Sequence, residues 1–166
     1  RQLGVLYHPT GYPQSMAIDG SMAYIAAGTE GVLIVDISDP AAPLLRGQIP
    51  TRGFSYGVTV RDGIAYVADG SAGLQLFDVS VPESPMPYGD GAATAGLAYD
   101  VVVTGNIALV SVPIGGLFAF DLADPNSPRQ LSQITTPGSP SGVWLEGARL
   151  FVADGPAGLT IVDVSN

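Results

Sequence analysis

The chain has 166 residues, of which 46% are hydrophobic and 13% charged, roughly half the charged share of an ordinary soluble domain. Fifteen acidic against six basic residues leave a net charge of −9, which argues against nucleic acid, since phosphate contacts need clustered Lys and Arg, and for a cationic or neutral partner. The absence of Cys excludes disulfides, thiolate metal sites and a Cys nucleophile, and the absence of Lys excludes Schiff-base chemistry and a Lys-held phosphate.

The chain opens on a short apolar run, Arg1-Gln2-Leu3-Gly4-Val5-Leu6. A link containing His8 and Tyr12 leads to three runs at 16–18, 22–26 and 31–38, the last being Gly-Val-Leu-Ile-Val-Asp-Ile-Ser, and a fourth at 43–49. The series then restarts at 58–60, 64–68 and 73–80, with a weaker fourth run around 86–88. It restarts again at 101–103, 107–111, 116–123 and 128–134, and a last time at 143–145, 149–153 and 158–165. The runs are short, rich in Val, Ile, Tyr and Phe, and bounded by Gly, Pro, Asn or Asp, which is the pattern of strands. No segment keeps a 3.6-residue period with caps, so essentially no helix is expected.

Asp36, Asp78, Asp121 and Asp163 close the third run of each series and lie 42, 43 and 42 residues apart. A fixed period of this size means stacked supersecondary units. Four short strands per unit make an all-β fold, a β-propeller of four blade-like repeats with four antiparallel strands each. A β-solenoid would need fewer turn signals than 22 Gly and 14 Pro provide. The chain reads as one repeat domain, 1–166, with units at about 8–50, 51–92, 93–135 and 136–166 plus 1–7. Residues 1–6 resemble Arg129-Gln130-Leu131-Ser132-Gln133-Ile134, so Leu3 to Leu6 are expected to pair with Leu159 to Val162 as the fourth strand of the last blade. That pairing closes four blades within one chain, or an eight-bladed ring between two, as a homodimer or larger assembly, and removes open edges.

Laid out this way, the residues resemble the LVIVD-repeat family of bacterial and archaeal propeller-like proteins. The likeness rests on Ala65-Tyr66-Val67-Ala68-Asp69-Gly70-Ser71-Ala72-Gly73-Leu74, on the stretch from Phe151 to Ser165, and on the Ser-Asp-Pro-Ala-Ala-Pro turn from Ser38 to Pro43. It covers the whole chain in four in-phase copies. The resemblance implies a cell-surface or secreted location and no particular reaction. The 20 uncharged residues 101–120 are long enough to span a bilayer, but Asn106, Pro113 and Gly115-Gly116 divide them at the strand phase, so no span is expected. The start at Arg1, within a repeat and without a signal peptide, reads as a processed or excised piece of a longer product.

The four repeated Asp residues read as turn anchors, each placed to accept hydrogen bonds from turn amides ahead of Pro40, Pro82 and Pro125 in the first three copies. Asp69 and Asp154 sit in Ala-Asp-Gly loops on the face that also carries the inter-blade links. They are either further turn anchors or oxygen ligands for a hard cation such as calcium, although Ala27 and Val112 replace them in the other copies. The links vary most among the copies. Their aligned positions Gln14, Tyr56, Tyr99 and Ser141 precede the innermost strands and should ring the mouth of the central channel, with Arg52, Asp69 and Asp154 at its rim. Aromatic and polar groups converging on a concave mouth suit a protein or glycan partner. Trp144 stands where Ala17, Thr59 and Val102 stand and is expected to fill space within or between blades. Function is accordingly expected to be non-catalytic binding or scaffolding. The alternative is an enzyme cleaving an extracellular polymer with His8, Tyr56, Asp69, Tyr99 and Asp154, although a lone His and the lack of a Gly-x-Ser-x-Gly elbow leave it without a motif.

Overall fold

A computed structural model of the chain describes residues 1–6 and 11–165. Its strands form four antiparallel meanders. Blade 1 comprises β1 (Ser15–Asp19), β2 (Met22–Ala26), β3 (Val32–Asp36) and β4 (Leu44–Ile49). Blade 2 comprises β5 (Gly57–Arg61), β6 (Ile64–Ala68), β7 (Leu74–Asp78) and the short β8 (Met86–Pro87). Blade 3 comprises β9 (Asp100–Thr104), β10 (Ile107–Val112), β11 (Gly116–Asp121) and β12 (Arg129–Ile134). Blade 4 comprises β13 (Val143–Glu146), β14 (Arg149–Ala153) and β15 (Leu159–Asp163). The expected strands thus recur at the expected phase, and the only helical turn among the described residues is the three-residue 3-10 turn Gly155–Ala157.

The sheets are arranged as the blades of a four-bladed β-propeller, with β1, β5, β9 and β13 innermost and neighbouring one another in that order. The middle strands of blades 2 and 3 read as continuous apolar runs because both faces of these sheets are packed against neighbouring blades. From blade 1, Tyr24, Ala26, Val32 and Ile34 face forward onto Val58, Ala65, Val67 and Phe77 of blade 2. Leu74 and Leu76 of blade 2 meet Val101, Val110, Phe118 and Phe120 of blade 3, and Leu109 and Leu117 of blade 3 meet Val143, Leu150 and Val152 of blade 4. At about 25 cal/mol per Å2 of apolar surface removed from water, these interfaces are the main source of stability. Residues 101–120, apolar enough to suggest a membrane span, are divided among β9, β10 and β11, and no helix among the described residues is long and apolar enough to cross a membrane.

Main-chain bridges add to the packing. Gly28 and Ser55 exchange both their amide hydrogen bonds across blades 1 and 2, at 3.2 and 3.0 Å, and Gly70 and Ala98 do the same across blades 2 and 3, at 3.1 and 3.0 Å. The outer strands reach forward as well. A Cβ on Gly47 of β4 would strike the Pro82 carbonyl in the outer turn of blade 2, and one on Gly89 would strike Asn126 in that of blade 3.

Blade 4 departs from the expectation. Its sheet has three strands, and residues 1–6 are not paired with β15 but lie over the rear face of blade 1. There Leu6 packs with Ala23, Leu33 and Val35, and Gly4 abuts Pro40 and Ala41. The physical reason is the apolar rear face of blade 1, which Leu6 covers with the contacts that Ile49 makes on blade 2. Trp144 also differs. Instead of filling space between blades it stands 69% exposed on the forward face of blade 4, beside exposed Leu159 and Ile161.

Candidate functional site

The link residues converge as their alignment requires. Gln14, Ser15, Tyr56, Tyr99, Asp100, Ser141 and Gly142, drawn from all four blades, line one pocket of about 250 Å3 at the inner end of the blades. Each of the four link positions is carried there by the same device, a backbone amide donated just ahead of the innermost strand. Gln14 N bonds Ala26 O (2.8 Å), Tyr56 N bonds Ala68 O (2.9 Å), Tyr99 N bonds Ser111 O (2.9 Å) and Ser141 N bonds Ala153 O (2.9 Å). The Tyr56 and Tyr99 rings stack at 4.2 Å with planes 9° apart, and Phe54 leans on Tyr56 at 4.7 Å. Burial, followed by the neighbouring Tyr99 side chain, raises the Tyr56 hydroxyl above its ordinary value.

Asp100 is the residue that the link positions alone did not reveal. Its Oδ1 accepts the Val101 amide at 2.9 Å and its Oδ2 accepts the Val143 amide of blade 4 at 2.9 Å, while its own amide donates to Ser111 Oγ at 3.1 Å. Ser111 Oγ donates onward to the Ser141 carbonyl at 2.6 Å. Burial pushes the Asp100 carboxyl up, against the opposing pull of the Val143 and Val101 amides. A signal was present in the sequence, since Asp100 is aligned with Ser15, Gly57 and Gly142 and is the one charged residue at that repeat position.

Arg52, Asp69 and Asp154 do not form the rim. Both carboxylates are fully buried and spent on their own links. Asp69 accepts from the Arg52 amide (3.0 Å), the Gly53 amide (2.7 Å) and the Ser55 hydroxyl (2.9 Å). Asp154 accepts from the Thr136 hydroxyl (2.7 Å), the Gly138 amide (3.1 Å) and the Thr160 hydroxyl (2.8 Å). Burial pushes Asp154 up, but the bonds from Thr136, Thr160 and Gly138 outweigh it and hold the carboxyl below its ordinary value. A calcium ion would have to displace these donors, and no three His, Cys, Asp or Glu side chains gather elsewhere among the described residues. The Arg52 guanidinium pairs with exposed Asp90 at 2.9 Å and does not line the pocket. His8 lies outside the described residues.

The repeated Asp residues cap the outer turns. Asp36, Asp78, Asp121 and Asp163 each accept the amide two residues on, from Ser38, Ser80, Ala123 and Ser165, at 2.9 to 3.0 Å. The Ser side chain first and the Ser amide second hold the carboxyls of Asp36, Asp78 and Asp163 below their ordinary value of 3.8, and the Ala123 amide followed by Arg129 does so at Asp121. A depressed folded pKa means that each contribution is whole above the unfolded value and is lost as pH falls through the folded one. Asp100, being raised, acts with the opposite sign and weakens the fold as pH rises from 3.8. Melting temperature followed from pH 6 to pH 2, a range of about four units, should therefore fall most steeply below pH 3.8. Asp78→Asn combined with Asp163→Asn, which keeps a turn acceptor without the charge, should flatten that fall. An equally steep fall in the double variant would show that other groups govern acid unfolding.

The sequence profile of the LVIVD repeat matches residues 10–51, 52–89, 95–136 and 137–166, in phase with the four blades. The chain belongs to the LVIVD repeat family. Comparison with curated proteins finds no match. Among solved structures, the computationally designed Ika4 protein is similar in fold with a TM-score of 0.76 at 8% identity, over 99% of this chain and 98% of that one. The computationally designed Ika8 protein is similar with a TM-score of 0.71 at 7% identity, over 90% of this chain and 45% of that one. At such identities the likeness establishes the fold of this LVIVD-repeat propeller and nothing of its chemistry.

Proposed function

We propose that this LVIVD-repeat propeller is a non-catalytic binding module of a cell-surface or extracellular assembly, and that its partner, a glycan presenting a neutral sugar, engages the inner mouth. The observation that carries this reading is the meeting of the four link positions in one pocket, because those positions differ from blade to blade while the strands around them keep their pattern. Tyrosine rings offer a flat apolar surface for a sugar, and Gln14, Ser141 and the Tyr hydroxyls offer hydrogen bonds to its edges. The scaffold reading draws on the Tyr56–Tyr99 stack itself, since rings 4.2 Å apart already satisfy one another and can simply close the mouth. Polymer cleavage receives no such support. Asp69 and Asp154 belong to different blades and have their oxygens occupied.

A glycan array probed with the wild type and with Tyr56→Ala and Tyr99→Ala separates the readings. Retained glycans should lose about fivefold or more in affinity with each substitution, corresponding to roughly 1 kcal/mol per aromatic anchor. Arg46→Ala, on the outer strand, should leave their affinity unchanged. No retained glycan, or retention indifferent to both Tyr substitutions, would favour the scaffold.

A further inference from the structure

We infer that the mouth face docks on a membrane, with the mouth holding the sugar of a neutral hexosyl lipid while the Ile114 turn enters the headgroup layer. Docking rests on the reading of the mouth as a sugar site and adds what carries the sugar. Because the strands are antiparallel, the inter-blade links and the turns between second and third strands share one end of the blades with the mouth. Blade 3 is distinct at that end. Its turn Val112-Pro113-Ile114-Gly115-Gly116 carries no charge, and neither does the link before its inner strand, Gly-Ala-Ala-Thr-Ala-Gly-Leu at 91–97. Ile114, which stands where Thr29, Ser71 and Pro156 stand in the other copies, is 98% exposed, and Leu97 is 45% exposed.

The turn and the link form one apolar bump. A Cβ on Gly96 would lie 2.8 Å from Val112 Cγ1, and one on Gly115 would lie 3.0 Å from the Ala95 carbonyl oxygen, so the bare glycines let the two segments touch. The bump is also braced. Gly115 N donates to Val112 O at 2.9 Å, with Pro113 at the second position of the turn, where its fixed φ is favoured. Gln133 of β12 donates to the Gly115 carbonyl at 2.8 Å, and the Thr94 hydroxyl donates to the Gly96 carbonyl at 2.9 Å. The backbone that carries Ile114 therefore needs no further ordering when the side chain leaves water.

Leu97 lies two residues ahead of Tyr99, so the bump borders the mouth, and Tyr12, 72% exposed two residues ahead of Gln14, adds an aromatic ring at the same end. Apolar tips flanked by Tyr are the composition of surfaces that sit at the headgroup level of a bilayer. Charge points the same way. Of the acids at this end, Asp69 and Asp154 are buried, Asp100 lines the mouth and Asp90 is paired with Arg52, which leaves Glu30. The four repeated turn Asp residues lie at the opposite end of the blades, away from the docked surface.

A convex tip fits a protein partner only where that partner offers a matching pocket, whereas lipid headgroups part around it. The net charge of −9 repels anionic lipids, and Arg52, the basic residue of this end, is already paired with Asp90. Attraction must therefore come from an uncharged headgroup. The Tyr56–Tyr99 mouth beside the tip supplies the flat apolar surface and the hydroxyls that a neutral sugar needs.

Flotation with phosphatidylcholine vesicles tests the inference. The wild type should float with vesicles that carry monoglucosyl or monogalactosyl diacylglycerol and stay behind with phosphatidylcholine alone. Phosphatidylglycerol added to the glycolipid vesicles should weaken binding at low salt. Ile114→Ser should lose about tenfold or more in vesicle affinity, as expected when one Ile side chain no longer leaves water, and should keep the wild-type affinity for soluble hexosides. Trp144 is the only Trp, so Ile114→Trp combined with Trp144→Phe puts the single Trp at the tip, and its emission should shift to the blue with glycolipid vesicles. A wild type that retains hexose-terminated glycans on an array and ignores every vesicle would overturn the inference and leave the sugar reading standing. Retention of neither would remove both. Vesicle binding indifferent to Ile114→Ser, or a tip Trp whose emission bound vesicles leave unmoved, would mean that the tip stays in water and would also overturn it. Self-association of the wild type that Ile114→Ser abolishes, with no vesicle binding, would assign the tip to a second copy instead.

Discussion

Asp69→Ala is expected to destabilise the chain by about 3–5 kcal/mol, the sum of leaving the Arg52 and Gly53 amides and the Ser55 hydroxyl without an acceptor, at roughly 1–3 kcal/mol for each buried donor. The sum falls short of three full penalties because Thr51 Oγ1 lies 2.8 Å from Ser55 Oγ and can take that proton. Asp69→Asn should cost less, since one oxygen remains to accept. Urea unfolding of the three proteins measures the differences, and a loss below about 1 kcal/mol for Asp69→Ala would mean that water replaces the carboxylate. The link from Thr51 to Ser55 also contacts blade 1 through the Gly28–Ser55 bridge, so the loss should extend to the junction between blades 1 and 2.

Phe118→Ala is expected to cost about 3–5 kcal/mol, the range for removing a buried Phe ring and leaving a cavity. Phe118 is 1% exposed, packs between blades 2 and 3, and stacks with Phe120 at 6.3 Å. Ile114→Ala supplies the contrast. Ile114 is 98% exposed at the tip of the same hairpin, and its replacement should change stability by no more than about 0.5 kcal/mol. Similar losses for the two would mean that the blade interfaces are not the seat of stability.

The period was legible because each blade packs on its neighbours through the same positions, which forces the same apolar residues to recur from copy to copy. Strand β8 was faint because Pro85 and Pro87 leave little of the outer run able to donate to the ladder, so the strand shrinks to Met86–Pro87, with an isolated bridge from Ala92 to Leu74 beyond it. The mouth was legible from Gln14, Tyr56, Tyr99 and Ser141, since an aligned position before the innermost strand can lie nowhere but at the axis. The burial of Asp69 and Asp154 was not. Their donors lie 14 to 18 residues back or six ahead, at distances that no local turn pattern reveals. Residues 1–6 carry the sequence of an outer strand, but they pair with no strand and lie over the rear face of blade 1, which the repeat pattern alone could not reveal.

The junctions between blades have a consequence for how such a chain can grow. Blades 1 and 2, and blades 2 and 3, are joined at their loops by main-chain bridges through Gly28 and Gly70, two glycines at positive φ whose hydrogen bonds need no side chain. A duplicated or shuffled repeat that keeps this loop glycine brings that joint with it and can be spliced in at those points. Blades 3 and 4 are instead joined through Asp100 and Ser111, two side chains that no other copy has at these positions. A repeat inserted there would have to bring both residues or leave the Val143 amide unanswered, so gene duplication should extend this array between blades 1 and 3 and spare its last joint.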